Sequence, residues 1–382
     1  MNLLPQSRNI LLLTSSLAPG GAETVVMQLA MALRASECVV TVASMLEPSA
    51  FVDELRDVGV QVISLGMRPR HLNLGGIWRF FRYLRHFRPD LIHAHMFHAS
   101  ILARIARFTT GIPAICTIHS EIECSHRKTS ASLREWLYRV TDVAASRTTA
   151  VSERVRQRYV ENKIVPAHRI EVIDNGVDVE RFRPDAEQRS QTRESLLWGG
   201  SFVWLAAGRL AIAKDYPNLI QAFHRVHREF PHSRLAIAGE GPLRRLLEEL
   251  IARHGLESAV SLLGLREDVP QLMNACDAFV MSSAWEGGPL VLLEAAACAR
   301  PMVATKVGVA PQIVIPGKTG FLVSPRNPTE LLDAMKQLME MTPEQRAQTG
   351  AMARLQVVDR FALESVCRRY QTLYEGMLAV SS

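Results

Sequence analysis

Two carboxylates and two cations stand out for their type and spacing. The stretch Met281-Ser-Ser-Ala-Trp-Glu286-Gly-Gly-Pro-Leu-Val-Leu-Leu-Glu294 reads as a short apolar strand, a glycine loop and a helix opening at Pro289. A proline costs nothing there, because the first helical amides have no partner inside the helix. The amides of Leu290 and Val291 are then free, and with the positive end of the helix dipole they form a phosphate site. Glu294 follows Leu290 by one turn, on the same face, where it can accept hydrogen bonds from a vicinal diol such as a ribose. Glu286, ahead of Gly287 and Gly288, faces whatever lies beyond the phosphate. A plainer account stays open, in which Glu294 favours the helix dipole and Glu286 is a solvated loop acid.

The cations lie in Ala207-Gly208-Arg209-Leu210-Ala-Ile-Ala-Lys214-Asp215, just past another apolar run. A diphosphate leaving a sugar gains negative charge as the bond breaks, and a fixed Arg and Lys can stabilise it where a divalent metal otherwise would. No Asp-x-Asp pair occurs anywhere to hold such a metal. Two solvated bases in a loop are the simpler alternative. A third group is Leu91-Ile-His93-Ala-His95-Met-Phe-His98. Alternating histidines on a strand share a face and invite a metal, but no carboxylate or cysteine accompanies them. An acceptor-side role for His95 is preferred, with core packing beside it.

The elements that must position these residues are βα units. Apolar runs at 9–14, 39–43, 91–94, 114–118, 148–151 and 170–173 end in Gly, Ser, His or Asn and alternate with amphipathic stretches. Buried runs of that kind indicate a parallel sheet covered on both faces. The alternation breaks over 176–200, the expected linker, and resumes with runs at 202–207, 234–238, 260–263, 278–281, 301–304 and 320–323. The division expected is 1–176 and 177–362 as two Rossmann-like domains, with 363–382 as a C-terminal helix packing back toward the first. Ligands of such sheets bind beyond the carboxyl ends of the strands, where the candidate residues fall.

Composition agrees with two cores of about 150 to 190 residues in a chain of this length. Of the 382 residues 48% are hydrophobic and 21% charged, which excludes disordered and fibrous classes. The run Ile10 to Leu13 is far below the roughly 7 to 15 apolar residues of a signal peptide, and none reaches the ~18 of a spanning helix. Cys38, Cys116, Cys124, Cys276, Cys298 and Cys367 are scattered, without a Cys-x-x-Cys pair, so the expectation is a reducing cytoplasm and no structural zinc. The net charge of +6 is uneven: residues 1–175 hold 21 basic and 15 acidic side chains, whereas 176–382 hold 23 of each. That asymmetry suggests an anionic partner for the first half. Ile77-Trp-Arg-Phe-Phe-Arg-Tyr-Leu-Arg-His-Phe-Arg88, with Trp136 and Tyr138 between Arg134 and Arg139, could lie on anionic lipid or simply pack its aromatics on a sheet. No nucleic-acid reader motif is present.

Glu286-x7-Glu294, Gly208-Arg-Leu with Lys214, Gly239-Glu-Gly-Pro-Leu243, Asn175-Gly-Val-Asp178 with Phe182, and Gly20-Gly21-Ala-Glu-Thr24 occur in one order across nearly the whole chain. Together they resemble family 4 of the retaining glycosyltransferases, as found among bacterial surface-polysaccharide and O-antigen enzymes. The resemblance implies a GT-B fold, α/β with two Rossmann-like domains whose parallel sheets face across a cleft. It also implies retaining, metal-independent transfer of a hexose or N-acetylhexosamine from a nucleotide-diphosphate sugar, UDP favoured over GDP.

By the same resemblance Glu286 binds donor-sugar hydroxyls, Glu294 the ribose, and Arg209 and Lys214 the diphosphate, with main-chain amides of Gly287, Gly288, Leu290 and Val291 completing the cradle. Gly20 and Gly21 leave room for phosphates or acceptor, although a plain tight turn would look alike. His119, at the end of the run Ala114 to Ile118, contacts the donor sugar, and Leu265 and Arg266 hold the base by main-chain bonds. The implied acceptor is a lipid-linked oligosaccharide, reached from the inner face of the cytoplasmic membrane, with no cofactor and no catalytic metal. Two departures stand out: Gly288 replaces the usual Phe or Tyr, and Asp215 replaces a frequent Gly. A nucleotide-sugar epimerase and a catalytically silent subunit of the same fold are the alternatives.

Overall fold

The computed structural model describes residues 8–379 apart from 70, 72 and 122–127, so Cys124 lies outside the described residues. The chain forms two compact units, Met1–Asn175 with Leu363–Ser382, and Gly176–Ala362.

The described residues of the first unit form seven strands: β1 (Asn9–Thr14), β2 (Val39–Ser44), β3 (Gln61–Ser64), β4 (Leu91–His95), β5 (Ala114–Ile118), β6 (Arg147–Ala150) and β7 (Ile170–Val172). They lie in the order β3-β2-β1-β4-β5-β6-β7, and every pairing is parallel. β1 shows why an unbroken apolar run makes such a strand. Successive side chains point to opposite faces: Ile10 and Leu12 join the core under helices Gly21–Ala35 and Leu363–Ala379, and Leu11 and Leu13 join the core under Leu74–Phe87 and Phe97–Thr110. The sequence pattern missed β3. Only four residues long, with Gln61 exposed and the other three only partly buried, Gln-Val-Ile-Ser carries too weak a signal.

The last helix belongs to this unit. Val366, Tyr370, Tyr374 and Leu378 recur every four residues as one buried stripe on the sheet, with Leu373 and Met377 partly buried beside them. One wholly buried arginine, Arg104, is not foreshadowed by any motif. It donates to the Tyr138 carbonyl at 2.9 Å, lies 3.6 Å from Asp142 and stacks 4.4 Å from the Tyr138 ring, partners that offset much of the cost of burying its charge.

The second unit repeats the topology with β8 (Phe202–Ala207), β9 (Ser233–Ala238), β10 (Val260–Gly264), β11 (Ala278–Met281), β12 (Met302–Thr305) and β13 (Gly320–Val323), in the order β10-β9-β8-β11-β12-β13. Its pairings are all parallel as well. Numbered from its own first strand this is 3-2-1-4-5-6, and its order reverses between β8 and β11, as that of the first sheet does between β1 and β4. Such a switch point leaves a crevice at the carboxyl ends of the two central strands.

The expected linker over 176–200 is corrected in part: it contains the helix Ala186–Ser195. This helix has no apolar stripe to betray it. Arg189 instead donates to the carbonyls of Asn274, Ala275 and Cys276 and pairs with Asp277 at 2.5 Å, while Arg193 reaches the same carboxylate at 3.1 Å.

Candidate functional site

In the second unit the β8/β11 switch point gathers the cations and acids read from the sequence. β8 ends at Ala207 and β11 at Met281, so the loops carrying Arg209–Lys214 and Ser282–Glu286 leave adjacent strand ends. Lys214 Nζ lies 2.7 Å from Glu286 Oε1, both side chains largely buried. The Ser283 hydroxyl donates to the same Glu286 oxygen at 2.8 Å. Three further bonds fasten the loops: Ser282 Oγ to the Lys214 carbonyl at 2.8 Å, Thr305 Oγ1 to the Ser283 carbonyl at 2.7 Å, and the Ala284 amide to the Ala213 carbonyl at 2.8 Å. The acid and the base are therefore pre-positioned by hydroxyls and main-chain groups of their own two loops, with Thr305 of β12 as the one brace from outside them.

Glycines let the loops approach one another. At Gly208, φ is +137° and a Cβ would stand 2.7 Å from Lys214 Cε. At Gly239, φ is +146° and a Cβ would stand 2.1 Å from the Gly208 carbonyl oxygen, a spacing only glycine permits. Arg209 is exposed, and its guanidinium makes no hydrogen bond or ion pair among the described residues.

The helix after the glycine loop spans Leu290–Ala297. Pro289 is its N-cap, with φ −67° and ψ 108°, one place earlier than expected, and its carbonyl accepts from the Leu292 amide at 3.2 Å. Leu290 and Val291 are thus the first two helical residues, whose amides have no acceptor within a helix. Glu294 sits one turn further on, partly buried. Burial pushes its carboxyl up to about 7, against the pull of Arg181 and Lys214 toward the charged form. Burial, joined by the Glu286 charge, pushes the Tyr216 phenol far above its ordinary range, and its hydroxyl donates to the Gly208 carbonyl at 3.1 Å.

Sequence reasoning missed Arg181, between Asp178 and Phe182 of a quoted motif, and Arg326, which lies 5.8 Å over the Trp285 ring beside Glu286. Neither has a local signal: Arg181 acts on Glu294 and Arg326 on Asp215, each from a distant part of the chain. Leu265 is 61% exposed, and the Arg266 guanidinium is spent on Asp268, with contacts of 2.7 and 2.6 Å.

In the first unit, Gly20 caps the helix Gly21–Ala35 with an extended backbone. A Cβ at Gly20 would fall 2.5 Å from the Glu23 carboxylate, whereas at Gly21 it would meet nothing within 4 Å. Gly21 thus borders open space, and no neighbour within the fold excludes a larger residue there. Glu23, itself buried, accepts from Ser16 Oγ at 2.6 Å.

The three histidines of the third group do not converge. His93 and His95 share a face of β4 with ring centroids 4.1 Å apart, while His98 lies on the helix Phe97–Thr110. Both ring nitrogens of His93 are occupied by hydroxyls, Tyr374 and Thr117, each at 2.6 Å, which leaves none for a metal. His95 Nδ1 lies 3.0 Å from Nε2 of His119. Burial lowers His93 to about 3 and His119 to about 4, and His95 well below its ordinary value, so all three rings are neutral at physiological pH.

The basic aromatic helix Leu74–Phe87 packs one face on the sheet and leaves the other exposed. Phe80 and Leu84 enter the core, the Tyr83 hydroxyl bonds Thr41 at 2.8 Å, and Arg79 folds back on the Leu65 carbonyl. Trp78, 60% exposed, faces outward with Arg82 at 5.2 Å, and Arg85 and Arg88 are exposed. Tyr138 is buried and Trp136 exposed. Among the described residues no helix is long and apolar enough to cross a membrane.

The chain is 28% identical over 262 residues to an Escherichia coli UDP-Gal:alpha-D-GlcNAc-diphosphoundecaprenol alpha-1,3-galactosyltransferase, covering 67% of each protein. It resembles the crystal structure of Anabaena HepE in complex with UDP-glucose, with a TM-score of 0.83, 26% identity and coverage of 97% of this chain and 100% of that one. The sucrose-phosphate synthase of Thermosynechococcus elongatus, at 22% identity and a TM-score of 0.84 over 98% and 100% of the two chains, shares the fold. Residues 19–181 match Glycosyltransferase Family 4 and residues 188–356 match Glycosyl transferases group 1. With those two matches laid over two all-parallel sheets of Rossmann order, the chain belongs to the family 4 glycosyltransferases of GT-B fold, which use nucleotide sugars as donors.

Proposed function

We propose that the protein transfers a hexose or N-acetylhexosamine from a nucleotide-diphosphate sugar to a hydroxyl of a lipid-linked glycan, with retention of configuration and without a catalytic metal. The observation that carries this proposal is the 2.7 Å contact of Lys214 with Glu286 at the β8/β11 switch point, on the same loop as Arg209, whose guanidinium has no partner among the described residues. Cation and acid stand together where a diphosphate and its sugar would need them. Arg209, Lys214 and the amides of Gly287, Gly288, Leu290 and Val291 take the diphosphate. Glu286 takes sugar hydroxyls and Glu294 the ribose, while Leu265 and Arg266 hold the base through their main chain. In the first unit the same reading gives His119, Gly20 and Gly21 to the donor, and His95, wholly buried, serves the acceptor side through its contact with His119.

In the reaction the bond from the sugar C1 to the diphosphate oxygen breaks while a bond from C1 to the acceptor oxygen forms on the same face. The acceptor proton passes to the departing phosphate oxygen, and Arg209 and Lys214 stabilise the charge that remains. A UDP-sugar is favoured as donor over a GDP-sugar because HepE was crystallised with UDP-glucose and the Escherichia coli relative uses UDP-Gal. The diphosphoundecaprenol acceptor of that relative supports a lipid-linked acceptor, and the outward face of Trp78, Arg82, Arg85 and Arg88 supports a peripheral place on an anionic cytoplasmic membrane surface.

The test is transfer from a panel of nucleotide sugars, first ranked by thermal stabilisation of the protein. Arg209→Ala should lower turnover by about a hundredfold or more with an unchanged circular dichroism spectrum, since its side chain supports no other. Chelators should leave wild-type turnover as it was. Full activity of the variant, or loss of activity with chelator, refutes the proposal.

A further inference from the structure

The histidines ending β4 and following β5 form a coupled pair. His95 Nδ1 and His119 Nε2 are 3.0 Å apart, with ring centroids at 5.2 Å. At that distance two neutral imidazoles share one proton, one ring donating N–H and the other accepting with its lone pair. Both rings are held neutral by burial, with His119 at about 4 and His95 well below its ordinary value, since charging it would also set it against the rings of His93 and His119. The direction of the bond is therefore a choice between two tautomer pairs.

The orphan atom of His95 makes the choice. The residue is wholly buried and its Nε2 has no partner among the described residues. If His119 donated, the proton of His95 would sit on Nε2 as a buried N–H with nothing to receive it. If His95 donates from Nδ1, the unpaired atom is a bare lone pair, the less costly of the two. The ring has little freedom to turn away, because His93 lies against it at 4.1 Å. His93 is braced in turn by Tyr374 on one nitrogen and Thr117 on the other, and Thr117 Oγ1 is 2.6 Å from Thr149 Oγ1.

We propose that His95 is a positioning residue which donates its Nδ1–H to His119 Nε2, so that His119 keeps its own proton on Nδ1 and its ring in one orientation. Any hydroxyl that His119 contacts then meets a ring nitrogen of settled character. The C-terminal helix enters this arrangement through Tyr374, which braces the ring behind His95. The consequence for turnover rests on His119 touching the donor sugar; the tautomer itself does not.

The experiment is nitrogen-15 NMR of ring-labelled histidine in the full chain, for wild type, His95→Phe and His95→Asn, with His119 assigned by its own substitution. Wild-type His119 should show the Nδ1–H tautomer. His95→Phe keeps the ring but removes the donor, and should let His119 exchange with the Nε2–H form. His95→Asn places an amide N–H near the former Nδ1 and should restore the wild-type pattern. Turnover should follow: a fall of about tenfold to a hundredfold in kcat for His95→Phe with donor KM little changed, and at least about a tenfold recovery in His95→Asn. A wild-type His119 protonated on Nε2, or an unchanged His119 pattern in His95→Phe, overturns the proposal. That spectrum needs no sugar substrate, so its failure is distinguishable from a failure of the glycosyl-transfer reading.

Discussion

Replacing Glu294 with glutamine separates the electrostatics of the donor site from its shape. Burial pushes this carboxyl to about 7 in the folded protein, whereas the unfolded chain restores the ordinary 4.5. Between those values the folded state binds more protons than the unfolded one, so stability falls as pH rises from about 4.5 to about 7 and is level beyond. The gap of about 2.5 pH units, at about 1.4 kcal/mol per unit, is a cost of at most about 3 to 4 kcal/mol, lessened because the side chain is only partly buried, and fully present above pH 7. Glutamine keeps the shape and carries no charge at any pH. Glu294→Gln should therefore match the wild type near pH 4.5 and exceed it by about 2 to 3 kcal/mol at pH 8, or about 5 to 10 °C in the melting of the second unit. The same substitution leaves one carbonyl oxygen where two carboxylate oxygens could accept a diol, and should raise donor KM about tenfold. A gain in stability joined to a loss of function marks a residue kept for its ligand. The assay is a pair of unfolding curves at pH 5 and pH 8 for each protein. A difference between variant and wild type that does not grow over that interval refutes the reasoning.

Gly239→Ala should destabilise the second unit by more than about 2 kcal/mol and displace the Gly208-Arg209 turn, since the added methyl would lie 2.1 Å from the Gly208 carbonyl oxygen at a φ of +146°; denaturant melts and donor KM report the two effects. Arg82, Arg85 and Arg88 changed together to glutamate should abolish pelleting with phosphatidylserine liposomes at low salt and leave the melting temperature unmoved, because all three side chains are exposed. Pelleting that survives the triple change would remove the membrane from the proposal.

Local chemistry made most of the fold readable before any coordinates. Twelve of the thirteen strands among the described residues appear as apolar runs of the expected place, because a parallel strand buried on both faces must be apolar throughout. The C-terminal helix shows its stripe for the same kind of reason. What escaped was held by long-range polar contacts: the helix Ala186–Ser195, clamped by Arg189 and Arg193 to Asp277, and the short edge strand Gln61–Ser64. The candidate residues were legible one by one, since glycine loops, strand ends and helix starts each have a local signature. Their pairing was not. Lys214 meets Glu286 across a switch point, Arg181 reaches toward Glu294 from a distant loop, and His93 is braced by Tyr374, 281 residues away. Periodicity and turn propensity act over a few residues and so survive in the linear order, whereas ion pairs, tautomers and raised carboxyl pKa values depend on distances of about 3 Å and on exclusion of water, which exist only once the sheets have closed their strands in order.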